Sequence, residues 1–220
     1  MRLREPFTEI FGRKSKVALL RYLILHRGEA TGRDLARSVG LDHKTCHDAL
    51  RDLDRNDIVR RRRVGRAWFY QLNHGFPIIK DVLEPLFAWE RDLPDRFARD
   101  LRKELGPDAL SIFLFGSTAK QTDVAESDID LLVVARDRAG LRALDQRQDQ
   151  ASSRLLKKYS RVPMWGFMDV QEFRRKFMKG DRFLDEILRT GRHLAGLRVQ
   201  ELLKHGRPTH RRPKASRPLT

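Results

Sequence analysis

Leu114-Phe115-Gly116-Ser117-Thr118-Ala119-Lys120 and Ser127-Asp128-Ile129-Asp130-Leu131-Leu132-Val133 decide how this chain is read. Ser111 to Phe115 is a short apolar, β-prone run, and Gly116-Ser117 stands at its end. Ten residues later Asp128 and Asp130 open a second apolar run through Ala135. Side chains alternate along a strand, so the two aspartates share one face, roughly 7 Å apart. Carboxylates so placed repel each other unless a cation lies between them. Mg2+ takes oxygen ligands and is often held by one or two carboxylates together with phosphates. A glycine at a strand-to-helix turn lets phosphates approach the backbone, and the adjacent hydroxyl and helix N-terminus offer donors. Taken singly, a Gly-Ser pair is ordinary turn chemistry, and two Asp at a strand entrance are ordinary caps. Their combination at this spacing, between two β-type runs, is far more specific.

Upstream, Val17, Leu19, Leu20, Leu23 and Ile24 recur at helical spacing over 13–25, and His26-Arg27-Gly28 breaks the pattern. Thr31 caps a short helix, Gly32 to Val39, and Asp42 caps a longer one through about Asn56. The second carries Cys46, Ala49, Leu50 and Leu53 on one side and polar His43, Lys44, His47 and Arg51 elsewhere. That pairing reads as helix-turn-helix. Ile58 to Arg63 and Arg66 to Leu72 are β-prone runs separated by Val64-Gly65, which adds a hairpin and completes a winged helix. In such a domain the second helix enters the major groove of DNA and the wing lies along the backbone. His43, Lys44, His47, Arg51, Arg60, Arg61, Arg62, Arg63 and Arg66 are the expected DNA contacts, against the plainer alternative of a solvated strand face. His43 and His47, four apart, have zinc-compatible spacing but no third ligand nearby.

Charge supports a polyanion partner. Residues 1–75 hold 17 Lys and Arg against 9 Asp and Glu, residues 76–203 hold 23 against 21, and 204–220 hold 6 against none. Basic ends around a near-neutral middle suit contact with a phosphate backbone. Cys46 is the single cysteine, so an intramolecular disulfide and a multi-cysteine metal site are both excluded. No apolar run reaches the length of a membrane span, and no apolar segment follows Met1 to Glu5 as in a secretory signal, so the expected compartment is the cytoplasm. Pro77 to Leu105 reads as two helices broken at Pro94, with a possible kink at Pro85. The expected organisation is therefore a winged helix over 1–75, a linker helix over 76–92, an α/β (α+β) domain over 93–203 and a basic disordered tail over 204–220.

The run Leu114 to Lys120 with Ser127 to Val133 resembles the signature of the minimal nucleotidyltransferases of the DNA polymerase beta superfamily. Asp169 to Phe173 and Gly180 to Leu188 are similar to that group's later segments, and proteins with this domain behind a winged helix form a recognisable subgroup. The resemblance implies a mixed sheet flanked by helices. It implies that Asp128 and Asp130 hold Mg2+ or Mn2+, that Gly116 and Ser117 bind the NTP phosphates, and that Lys120 replaces a frequent arginine as a phosphate contact. The implied reaction transfers a nucleoside monophosphate from an NTP to a hydroxyl of a small molecule, RNA or protein.

One departure stands out. The family draws a third carboxylate from a later strand, and the matching run Val162 to Met168 contains no acid. Asp169 and Glu172 lie just beyond it. The alternative is therefore a regulator or antitoxin-like protein that binds nucleotide or a partner with little or no turnover. A homodimer through the apolar 77–90 helix is also expected.

Overall fold

A computed structural model describes residues 5–120, 122 and 127–205. The basic tail expected to be disordered lies, from residue 206 on, outside the described residues, as do Gln121 and 123–126. The chain divides into two compact units, Met1–Leu93 and Pro94–Thr220.

The first unit begins with α1 (Pro6–Phe11) and α2 (Lys14–His26), continues through β1 (Ala30–Thr31), α3 (Gly32–Ser38) and α4 (His43–Arg55), and closes on β2 (Val59–Val64) and β3 (Ala67–Leu72). Thr31 and Asp42 act as the expected caps: the Thr31 hydroxyl accepts from Asp34 N at 3.2 Å, and the Asp42 carboxylate from Thr45 N at 2.9 Å. The strands form an antiparallel sheet in the order β1-β3-β2, with Val64 opposite Ala67 and Gly65 at φ +60° in the two-residue turn. Leu19, Leu20 and Leu23 pack with Leu35, Ala49, Leu50, Leu53, Ile58 and Leu72 in one core. Helices α2, α3 and α4 with the β2–β3 wing are a winged helix-turn-helix.

The stretch 76–92, expected as a linker helix, falls within the first unit. Ile79, Leu83 and Phe87 belong to this first core. A π-helical turn (Ile79–Leu83) runs directly into α5 (Glu84–Leu105). Its wider turn ends just before Pro85, whose ring would crowd the carbonyl of an ordinary α-turn. Pro94, expected to separate two helices, lies inside one continuous helix. Buried Phe87 before it and Phe97 and Leu101 after it hold each half in place despite the lost hydrogen bond.

The second unit is a four-stranded sheet in the order β6-β5-β4-β7: β4 (Ala109–Leu114), β5 (Ile129–Ala135), β6 (Pro163–Asp169) and β7 (Arg192–Gly196). β4 runs antiparallel to both its neighbours, and β5 pairs parallel with β6. The parallel crossover is α7 (Arg138–Tyr159). Ile129, Leu131 and Val133 face a core with Phe97, Leu101, Leu144 and Leu155 from α5 and α7. Leu132 and Val134 face a second core with Phe173, Leu184 and Ile187 from α8 (Val170–Met178) and α9 (Arg182–Thr190). α6 (Gly116–Ala119) is a single turn after β4, and α10 (Val199–Lys204) follows β7. The sheet is thus covered on both faces, as its near-continuous apolar strands require.

Candidate active site and nucleic-acid surface

The C-terminal end of β4 and the N-terminal ends of β5 and β6 lie at one edge of the sheet. Alternation along β5 puts Ile129 into the α5/α7 core, so Asp128 and Asp130 project on the opposite face, the one shared by Leu132 and Val134. Asp130 is half-buried and Asp128 exposed. The Gly116 turn is stitched against them. Phe115 N donates to Asp130 O at 3.0 Å, and the Thr118 hydroxyl to Asp128 O at 3.4 Å.

Gly116 adopts φ +70°, in the left-handed region that disfavours a side chain. A Cβ there would lie 2.0 Å from Asp130 Oδ2. The glycine and the carboxylate are therefore in direct apposition, and the residues at this edge converge on one small volume.

Two residues join the site that sequence reading did not single out. Glu186 on α9 receives a hydrogen bond from the Lys120 ammonium at 2.9 Å, and this cation holds the Glu186 carboxyl below the usual range. Arg161, just before β6, donates from Nη2 to the Thr118 hydroxyl at 3.2 Å. The first contact joins positions 66 residues apart and has no local signature.

The acids downstream of β6 lie elsewhere. In the parallel register Asp130 stands beside Met164, and Asp169 beside Ala135, five residues further along the strand. That places Asp169 roughly 16 Å from the Asp130 level. It caps α8, its carboxylate accepting from Glu172 N at 2.7 Å, and Glu172 pairs with Lys176 at 3.3 Å. The position lateral to Asp130 belongs to Met164, which is 52 % exposed. Among the described residues no group of three His, Cys, Asp or Glu forms a metal cluster. Two carboxylates beside a glycine turn that a Cβ would fill do suit a divalent cation that arrives with phosphates.

In the first unit, His43, Lys44, His47 and Arg51 are exposed along α4, whose other side buries Cys46, Ala49, Leu50 and Leu53. Burial pushes the Cys46 thiol up to about 11. The wing arginines fall into two groups. Arg61 pairs with Asp54 at 3.0 Å and lies over the Trp68 ring, Arg62 grips Glu29 through two nitrogens, and Arg63 donates to Gly65 O at 3.2 Å. Arg60 and Arg66 have no such partner among the described residues. No helix among the described residues is long and apolar enough to cross a membrane.

A protein of Methanocaldococcus jannaschii, MJ1305, named for protein adenylyl transfer, is 48% identical over 42 residues, 19% of this chain and 29% of that protein. The match thus spans under a third of that relative's length. Among solved structures, the homodimeric winged helix-turn-helix DNA-binding domain Mb0332 of Mycobacterium bovis is 22% identical, covering 43% of this chain and 82% of its own, with a TM-score of 0.33. A toxin-antitoxin structure with AMP-PNP is 18% identical, covering 50% of this chain and 81% of that one, with a TM-score of 0.33. Residues 95–194, which contain β4, β5, β6, the start of β7, the Gly116 turn and both aspartates, match the nucleotidyltransferase domain family, and this part of the chain is a nucleotidyltransferase domain.

Proposed function

We propose that the protein transfers a nucleoside monophosphate from an NTP to a hydroxyl acceptor while its winged helix engages DNA. The observation that carries the transferase half is the apposition of Gly116 and Asp130, with the glycine's missing Cβ standing where the carboxylate lies. Gly116 and Ser117 receive the β- and γ-phosphates, and Lys120 turns from Glu186 to add a point charge. Asp128 and Asp130 hold Mg2+ or Mn2+. When bound, that ion neutralises charge on the triphosphate as the α-phosphoryl group moves and pyrophosphate leaves. The acceptor we assign is a protein hydroxyl, on the strength of the partial likeness to MJ1305. His43, Lys44, His47 and Arg51 on α4 and Arg60 to Arg63 and Arg66 on the wing contact DNA. A second copy of the chain is a further partner, favoured by Leu86 and Trp89, 46 % and 52 % exposed on α5. The expected compartment is the cytoplasm.

Incubation with Mg2+, each α-labelled NTP and candidate acceptors tests the transferase reading. Labelled acceptor and pyrophosphate are expected, and both should vanish in Asp128→Asn and Asp130→Asn. A second reading, a nucleotide-binding regulator or antitoxin-like protein without turnover, is favoured by Met164 in the place beside Asp130. It predicts that nucleotide binds through Asp128 and Asp130 but no pyrophosphate appears. Nucleotide binding indifferent to both aspartates would sink the two readings together.

A further inference from the structure

In the first unit a cavity of about 570 Å³ opens between the helices α3 and α4 and the wing. Arg33, His43, His47, Arg66, Trp68 and Tyr70 line it, and no carboxylate does. Tyr70 is only 5 % exposed, and its hydroxyl, not among the buried unpaired side-chain atoms, is open to the cleft. Burial raises its pKa, so the phenol keeps its proton and remains a donor at neutral pH. Arg33 comes from α3 and Arg66 from the turn of the wing, and neither is paired with a carboxylate among the described residues. Arg61 and Arg62 differ, being tied to Asp54 and Glu29. Trp68 is 42 % exposed, and the Arg61 guanidinium, 4.8 Å from its ring centre, steadies the indole at the wall. A flat aromatic surface, two uncommitted guanidiniums and an unused donor, with no acid among them, match the chemistry of one nucleotide: a base to stack and a phosphate to hold.

We propose that this cleft binds a nucleotide unit, its base against Trp68 and its phosphate between Arg33 and Arg66, with the Tyr70 hydroxyl donating to it. The unit can come from a DNA strand or from a free nucleotide, and occupancy by the second would displace the first. The proposal deepens the nucleic-acid reading of the first unit and rests on it.

The test uses the full chain carrying Asp128→Asn and Asp130→Asn, so that the second unit's site does not contribute. AMP, a single-stranded DNA and a DNA duplex are titrated separately against this protein, then against it with Tyr70→Phe, with Arg33→Ala and Arg66→Ala together, and with Arg60→Ala alone. Arg33 and Arg66 are exposed and Tyr70→Phe keeps the ring, so folding is checked by thermal melting and expected to hold. For a DNA strand, the double arginine variant should lower the salt slope of single-strand binding by about one. For a free nucleotide, AMP affinity should fall about ten-fold in Tyr70→Phe and in the arginine pair, and unlabelled AMP should compete with single-stranded DNA. Duplex binding that responds to Arg60→Ala, with single-strand binding indifferent to both cleft variants and no AMP binding, overturns the proposal and leaves the nucleic-acid reading standing. Failure of the parent protein to bind any of the three ligands overturns both.

Discussion

Replacing Gly116 by alanine perturbs the transferase site through a single added carbon. Its Cβ would lie 2.0 Å from Asp130 Oδ2 and 2.9 Å from Cγ, well inside contact distance. Because the obstructing atoms are the end of a side chain, the cheapest relief is rotation of the Asp130 carboxylate away from its present direction. The backbone contributes separately, since a non-glycine residue at φ +70° costs about 1–2 kcal/mol. Gly180 supplies the control: it has φ +65° with nothing within 4 Å of an added Cβ. Gly180→Ala carries the backbone cost without touching Asp130. Both variants should melt lower, by about 4–8 °C for each kcal/mol lost in a domain of this size.

Only Gly116→Ala should lose function. Displacing a positioned group by about 1 Å costs about 10²-fold in rate, so transfer should fall to about one hundredth of wild type. The assay is release of pyrophosphate and labelling of acceptor from α-labelled NTP, with Mg2+-dependent nucleotide binding measured in parallel and circular dichroism confirming the fold. A folded Gly116→Ala protein that retains Mg2+-dependent nucleotide binding would refute the apposition of the glycine and Asp130 as the basis of the site.

The other expectations concern the neighbours of that site and one remote ion pair. Met164 lies beside Asp130 and is half exposed, so Met164→Asp should add a carboxylate and tighten Mn2+ binding about ten-fold in titration. Unchanged affinity would place Met164 away from the ion. Glu186→Gln frees Lys120 from its partner, and nucleotide should then bind about two- to five-fold more tightly at low salt, the gain fading as salt screens the charge. No gain would mean that Lys120 does not meet phosphate. The Lys158 ammonium and the Tyr159 hydroxyl hold Asp100 below the usual carboxylate range. A depressed folded pKa gives stability that is present above the unfolded value of about 3.9 and lost as pH falls through the folded one. The melting gap between wild type and Asp100→Asn should therefore be full at neutral pH and close in acid. A gap independent of pH would remove this ion pair from the account.

The winged helix was legible because each of its signals is local. Thr31 and Asp42 cap the helices they precede, Cys46, Ala49, Leu50 and Leu53 repeat at helical spacing, and Gly65 takes the positive φ of a hairpin turn. The Gly116 turn and the two aspartates were legible for the same reason. Pro94 misled because a proline's local cost was weighed without the burial of Phe87 and Phe97 on either side of it. α7 left little periodic trace: of 22 residues it buries Gly140, Leu144, Ala151 and Leu155. β7, Arg-His-Leu-Ala-Gly, has no β-branched residue, and only its pairing with β4 makes it a strand. Lys120 with Glu186 depends on a contact between distant parts of the chain, which no spacing rule reaches.

The register of β6 constrains the chemistry more than any other single feature. Bringing Asp169 beside Asp130 would require a slide of five residues, which would draw Met168 and Val170 out of the core they share with Leu132 and Val134. β6 therefore supplies no carboxylate to take the proton of an attacking hydroxyl. In the proposed reaction the protein's own residues would gather the triphosphate and offset its charge, and the acceptor would give up its proton to solvent or to its own surroundings rather than to β6. A carboxylate base, ionised well below neutral pH, would leave the transfer rate flat between about pH 6 and 9. Without one, the logarithm of the rate should rise with pH at a slope of about one until the acceptor hydroxyl is itself ionised. Single-turnover transfer measured across that range, at saturating NTP and Mg2+, separates the two. A flat profile would show that a base is present after all, contributed by some residue other than those of β6.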